Sequence, residues 1–178
     1  MVEQFLIEAK FPSAIGYGLT ETAPTLAGFD SFQGKFQSTG PAMEGVTLKI
    51  NNPDIITGEG EIWAKGDNVM KGYFKEPGLT AEVLTEDGWF KTGDSVEVKG
   101  EYFKILGRKS ELINVGGEKV FPQEVENVIS EIAEVSDVIV YGESNRLTGK
   151  IVCAKISYMG DEDKSEIIKK IKKYCRLK

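Results

Sequence analysis

The sequence predicts an α+β protein. A short-stranded β-subdomain, a small distorted barrel or a sandwich, is followed by a small α+β unit of β-β-α-β-β-α pattern. Two observations predict this. Between about residues 40 and 107, short alternating runs are separated by clusters of Gly, Asn and Asp. After Arg108 the texture changes to paired short strands, a helix, two β-branched runs and a second helix.

The elements follow in order. Residues 3–9 read as a short helix. Ala14 to Tyr17 then leads into the polar, turn-like stretch Gly18-Leu19-Thr20-Glu21-Thr22. Val46–Ile50, Gly60–Ala64, Ser95–Val98 and Tyr102–Leu106 alternate as half-buried strands do, and Lys99-Gly100 reads as a hairpin turn. Glu111–Val115 and Lys119–Phe121 form a strand pair around Gly116-Gly117. Pro122 suits the first turn of a helix whose core face is Val125, Val128, Ile129 and Ile132. Val135–Tyr141 and Ile151–Ile156 are β-branched strands. The last helix carries Ile167, Ile168, Ile171 and Tyr174 as one apolar stripe with lysines opposite. The sequence shows no internal repeat and no low-complexity segment.

Composition excludes several classes. The chain has 178 residues, 28 acidic and 22 basic side chains and no histidine. Without histidine there is no Ser-His-Asp or Cys-His relay and no His-rich metal site. Cys153 and Cys175 cannot build a zinc site or a disulfide framework. They read as reduced thiols, as expected of a cytoplasmic protein. No apolar run approaches the ~18–20 residues needed to span a membrane, and Glu3 and Glu8 interrupt the first apolar cluster. The net charge of −6 argues against a general nucleic-acid binder. Residues 164–178 carry a net +6, which reads as a solvated helix face rather than a nucleic-acid tail.

Four segments carry chemistry. Gly16-Tyr-Gly-Leu-Thr-Glu21 combines glycines that admit a ligand to the backbone, a ring that can stack on a base, a hydroxyl for a phosphate and a carboxylate for Mg²⁺. It also fits a polar loop after a buried strand. Gly60-Glu-Ile-Trp-Ala-Lys-Gly66 is followed by Gly72-Tyr73. Trp89-Phe-Lys-Thr-Gly-Asp94 ends on a carboxylate able to accept from two vicinal hydroxyls, or to close a turn over a core Trp89 and Phe90. Gly107-Arg108 through Glu126 orders a Gly-Arg pair, a strand, a Gly-Gly turn, a second strand and Pro-x-Glu-x-Glu.

Together these four segments resemble, in order, the C-terminal part of the adenylate-forming enzymes. These are the acyl-CoA synthetase, luciferase and peptide-synthetase adenylation superfamily, and the likeness is greatest to acyl-CoA ligases. The resemblance implies ATP, Mg²⁺ and CoA as reactants. A carboxylate attacks the α-phosphate, pyrophosphate leaves, and a thiol takes the acyl group from the adenylate. It implies that Tyr17 stacks on adenine with Gly18 beside it, Thr20 touches phosphate and Glu21 ligates Mg²⁺. Asp94 accepts from the ribose hydroxyls, Ile105 lines the adenine or ribose, and Arg108 donates to ribose or phosphate. Gly116-Gly117 lines the pantetheine path. It also implies a lid domain that rotates about a hinge at Ser110, where the family usually has Asp or Lys.

The same resemblance divides the chain into residues 1–29, the end of a large α/β layer, residues 30–107, the β-subdomain, and residues 108–178, the lid. The family's phosphate loop is expected before residue 1, and its catalytic lysine beyond residue 178. Thr148-Gly149-Lys150 is not its substitute, because it lies between two lid strands. The chain is therefore expected to be an inactive fragment, with the apolar face of residues 1–29 covered by another copy or left mobile. Two alternatives stand beside a CoA ligase. One is an adenylation domain loading a carrier protein's phosphopantetheine. The other is a non-catalytic lid or nucleotide-binding module.

Overall fold

The computed structural model describes residues 5, 6, 8–11, 15–28, 39–100, 102–161 and 163–177. Of the helix expected over residues 3–9, Phe5, Leu6 and Glu8 are helical, while residues 3, 4 and 7 lie outside the described residues, as does Ala14. The chain divides into two compact units, Met1–Lys109 and Ser110–Lys178.

In the first unit, β1 (Gly16–Gly18) and β2 (Thr25–Gly28) form an antiparallel pair around a 3-10 turn at Thr20–Thr22. A four-stranded antiparallel meander follows: β3 (Val46–Asn51), β4 (Gly60–Gly66), β5 (Phe90–Lys99) and β6 (Tyr102–Arg108). Alternation turns Ile62, Ala64 and Val96 inward, where they meet Tyr17, Leu26 and Ala27 of the β1–β2 pair. The outward face of β3–β5 carries Lys49, Trp63 and Lys91. The Lys49 ammonium stands 3.9 Å from the Trp89 ring centre and 4.9 Å from that of Trp63.

The expected barrel does not close. Among the described residues β3 and β6 do not pair. Residues 39–43 instead run beside β6 and then β2, bridging Thr39 to Phe103 and Ala42 to Ala27. These contacts occupy the β6 edge, so the sheet stays open with the β1–β2 pair filling one face. A helix also interrupts the region read as wholly β: α1 (Pro77–Val83) joins β4 to β5. Pro77 sits in its first turn, and none of its residues is buried, so no apolar stripe announced it.

The second unit has the expected order. A hairpin of β7 (Ile113–Val115) and β8 (Glu118–Val120) precedes α2 (Pro122–Ser130), β9 (Val135–Asn145), β10 (Gly149–Tyr158) and α3 (Lys164–Cys175). The sheet order is β8-β7-β10-β9. The core joins Ile113, Ile129, Ile132, Val140 and Ile171, so α2 and α3 both contribute to it. Strand β9 runs past the expected end at Tyr141. Gly142 lies mid-strand opposite Val152, where a Cβ would come within 3.1 Å of Ile113. That glycine makes room for a neighbouring strand and does not end its own. Asp163 caps α3, its carboxylate accepting from the Ser165 N–H at 3.1 Å.

Ile62 is 0% exposed at the centre of the first core. Ile62→Ala is expected to cost about 2–5 kcal/mol, read as a lowered midpoint of urea unfolding with little change in slope.

Candidate functional site

Four of the expected residues come together in the first unit. Asp94 lies on β5 opposite Arg108 at the end of β6. Its Oδ2 accepts from the Tyr17 hydroxyl at 2.7 Å, and its Oδ1 lies 3.1 Å from Arg108 Nε. Arg108 also donates from Nη1 to the Thr92 carbonyl at 2.8 Å. Thr92 anchors the strand beneath them, donating to the Ile62 carbonyl at 2.7 Å and accepting from the Asp94 N–H at 3.1 Å. Thus Asp94 does not close a turn. It sits within a strand, just after Gly93 at φ +75°. Ile105 pairs with Val96 across β5 and β6 and packs against the core that contains Tyr17.

Asp94 is 6% exposed and Tyr17 9%. Burial lifts the Asp94 carboxyl above the ordinary aspartate range. The Tyr17 hydrogen bond and the Arg108 charge act against the lift, and Glu61 adds to it. Burial likewise pushes the Tyr17 phenol far up, so it remains a donor.

The turn after Tyr17 is held in part by residues to which sequence reasoning gave no role, Thr22, Asn68 and Met70. Thr22 is fully buried. Its Oγ1 accepts from the Leu19 N–H at 3.0 Å and lies 2.9 Å from the Pro24 carbonyl. Gly18 is needed for close approach, because a Cβ there would overlap the Pro24 carbonyl oxygen. Thr20 is exposed and Glu21 half-buried. The Tyr73 hydroxyl donates to Glu21 Oε1 at 3.0 Å, and the Met70 N–H donates to the Glu21 carbonyl at 2.8 Å. Burial, followed by the Glu21 hydrogen bond, raises the Tyr73 phenol. Asn68 Nδ2 donates to the Thr22 and Thr25 carbonyls at 2.8 and 3.0 Å.

Glu61 is a further residue to which sequence reasoning gave no role. Its Oε1 accepts from the Gly93 N–H at 3.2 Å, and its Oε2 pairs with Lys109 at 3.1 Å. Its place in the Gly60-Glu-Ile segment was the available signal.

Among the described residues no three His, Cys, Asp or Glu side chains converge on a metal position. Glu21 fits Mg²⁺ in another way. That ion is commonly held by one or two carboxylates plus substrate phosphates. Tyr73 engages Oε1 of Glu21, and among the described residues Oε2 is left for an ion.

In the second unit, Gly116 and Gly117 are the central residues of the β7–β8 turn, with φ +62° and +102°. Positive φ at both positions is the demand of a type I′ hairpin, which explains the pair on structural grounds alone. Gly116 N–H donates to the Thr148 carbonyl at 2.8 Å, and Gly117 N–H to Asn114 Oδ1 at 2.9 Å. A Cβ on Gly117 would meet nothing. Ser110 is exposed within the 3-10 turn Lys109–Glu111, at the first residue of the second unit. Thr148 ends the turn between β9 and β10, and Gly149 and Lys150 open β10, with Gly149 at φ +77° and Lys150 exposed.

A family model described as AMP-binding enzyme matches residues 2–74, and one described as AMP-binding enzyme C-terminal domain matches residues 124–178. The chain belongs to the adenylate-forming family of AMP-binding enzymes and corresponds to its C-terminal portion. It is 35% identical over 167 residues to a long-chain-fatty-acid–CoA ligase of Haemophilus influenzae, covering 90% of this chain and 29% of that protein. It is 35% identical over 177 residues to 4-coumarate–CoA ligase 1 of Arabidopsis thaliana, covering 90% of this chain and 31% of that protein. Among solved structures, it is similar to O-succinylbenzoate coenzyme A synthetase from Bacillus subtilis in complex with ATP and magnesium ion. The TM-score there is 0.85 at 29% identity, covering 99% of this chain and 37% of that one. The chain thus spans about a third of the length of the relatives it matches.

Two outcomes are expected. Gly18→Ala forces the β1–β2 pair apart and costs about 3 kcal/mol, read by thermal unfolding. The second concerns pH. Because the folded state holds the Asp94 proton more tightly than the unfolded chain does, stability is lost as pH rises from about 4 through the folded value. Asp94→Asn removes that loss. Its unfolding free energy relative to wild type should climb across this window and level off above it. Urea titrations at stepped pH measure the difference, and a flat or falling one would contradict the assignment.

Proposed function

We propose that this chain is the C-terminal portion of an ATP-dependent acid–CoA ligase. The Tyr17–Asp94–Arg108 cluster carries the reading. A carboxylate held buried against its own solvation cost, beside a fixed guanidinium, suits the two hydroxyls of a ribose. The relatives named above are CoA ligases, and the solved neighbour holds ATP with magnesium, which supports the same assignment.

In this mechanism the acid's carboxylate oxygen attacks the α-phosphorus of ATP, and the bond to the β-phosphate breaks to release pyrophosphate. Protein catalysis is then mainly positioning and charge neutralisation. Asp94 orients the ribose, with Arg108 donating beside it. Tyr17 keeps Asp94 in place and offers its ring edge or face to the base, while Gly18 admits the nucleotide close to the backbone. Ile105 contributes an apolar wall. Thr20, exposed at the turn, donates to a phosphate oxygen. Glu21 would hold Mg²⁺, which supplies charge neutralisation for the phosphates. In the second half-reaction a thiol sulfur attacks the acyl carbon and AMP leaves. The open Gly116-Gly117 turn gives the pantetheine arm a backbone without side chains to pass, and Ser110 serves as the hinge between the half-reactions.

In the complete protein containing these residues, acid-dependent ATP–pyrophosphate exchange is the expected activity. Asp94→Ala and Glu21→Ala should each lower it by about 100-fold or more. Gly117→Val should lower thioester formation more than exchange. Unchanged exchange in the first two variants would overturn the assigned roles. Transfer to a holo-carrier protein in preference to CoA would replace the acceptor. By themselves the 178 residues should bind ATP and Mg²⁺ weakly in calorimetry, without turnover.

A further inference from the structure

We propose that Tyr73 is a positioning residue for Glu21, and that residues 68–73 form a brace holding the Thr20–Thr22 turn in its metal-binding shape. The inference rests on the reading of Glu21 as the Mg²⁺ carboxylate.

The brace acts at three levels of the same turn. The Tyr73 hydroxyl holds the Glu21 side chain by Oε1 at 3.0 Å, across 52 residues of sequence. The Met70 N–H holds the Glu21 backbone at 2.8 Å. The Asn68 amide holds the carbonyls of Thr22 and Thr25, just beyond. Glutamate is a flexible side chain, and ordering it only when a cation arrives would cost rotamer entropy at that moment. A hydrogen bond to one oxygen restricts the carboxylate beforehand and leaves the other for the ion.

Tyr73 is itself fixed from behind. Thr80 Oγ1, on α1, accepts from the Tyr73 N–H at 2.9 Å and donates to the Glu76 carbonyl at 2.8 Å. Gly72 stands at φ +143°, and a Cβ there would come within 2.8 Å of Thr80 Cγ2. A side chain at position 72 would therefore push Thr80 off the Tyr73 backbone. The short, unburied helix α1 thus has a use beyond connection: it sets the Tyr73 hydroxyl against Glu21.

The test uses the complete protein containing these residues and calorimetric ATP binding as a function of Mg²⁺. Tyr73→Phe keeps the ring and removes the hydroxyl. It should raise the half-saturating Mg²⁺ concentration on the order of fivefold. ATP affinity in the presence of a chelator should not move, and thermal unfolding should shift by no more than about 2 °C. Thr80→Val is a second variant, expected to shift the Mg²⁺ dependence in the same direction by less. Glu21→Gln is run in parallel and should largely abolish the dependence. If Glu21→Gln does so while Tyr73→Phe and Thr80→Val titrate like wild type, the brace is overturned and Glu21 keeps its role. If Glu21→Gln leaves the Mg²⁺ dependence unchanged, the reading of Glu21 falls and the brace falls with it.

Discussion

A carboxylate that is 6% exposed needs partners for both oxygens, and Asp94 finds them on two other elements, one of them distant in sequence. Tyr17 comes from the β1–β2 pair, 77 residues earlier, and Arg108 from the end of the neighbouring strand. This requirement ties the pair to the meander at a defined depth. It places Leu26 and Ala27 over Ile62, Ala64 and Val96, and it demands a glycine at position 18 where the chain doubles back on Pro24. The sheet stays open beside the same docking, since Thr39 bridges Phe103 of β6 and Ala42 bridges Ala27 of β2. Burial holds the Asp94 carboxyl above its ordinary range, so the fold is not at its most stable with that group charged.

The Thr20–Thr22 turn depends on a second, lighter set of contacts. Thr22 closes it from within, and Asn68, Met70 and Tyr73 hold it from outside. A short exposed turn has little stability of its own, so its geometry is imposed by the loop between β4 and α1. Exposed Thr20 and half-buried Glu21 are then presented on a scaffold rather than on a free loop.

The second unit is organised differently. Two helices and a sheet enclose an aliphatic core, and the functional candidates lie at its margins: a two-glycine turn and Ser110 at the boundary. Hairpin geometry by itself accounts for the Gly116-Gly117 conformation, because both residues have positive φ. A pantetheine role adds a reason for their lack of side chains without being required by the fold.

The sequence by itself determined the second unit's element order and the inward side of Val125 and Ile129 on α2, because apolar periodicity and Pro122 report directly on local structure. Ile132 joins the core from beyond the helix end at Ser130, and Val128 stays outside it. It also determined the family, because four ordered segments preserve residue types that a site needs. Periodicity could not show α1, which buries nothing, or the run of β9 through Gly142, where glycine answers a packing need rather than a turn. The open sheet was equally invisible, since closure depends on which edges meet. Only the tertiary structure decided that Tyr17 enters the core with its hydroxyl on Asp94. It alone brought Glu61, Asn68 and Tyr73 to the site. Each of these contacts joins residues more than 30 positions apart, and a side chain's partner at that distance is set by how sheets and turns stack, not by its neighbours in the chain.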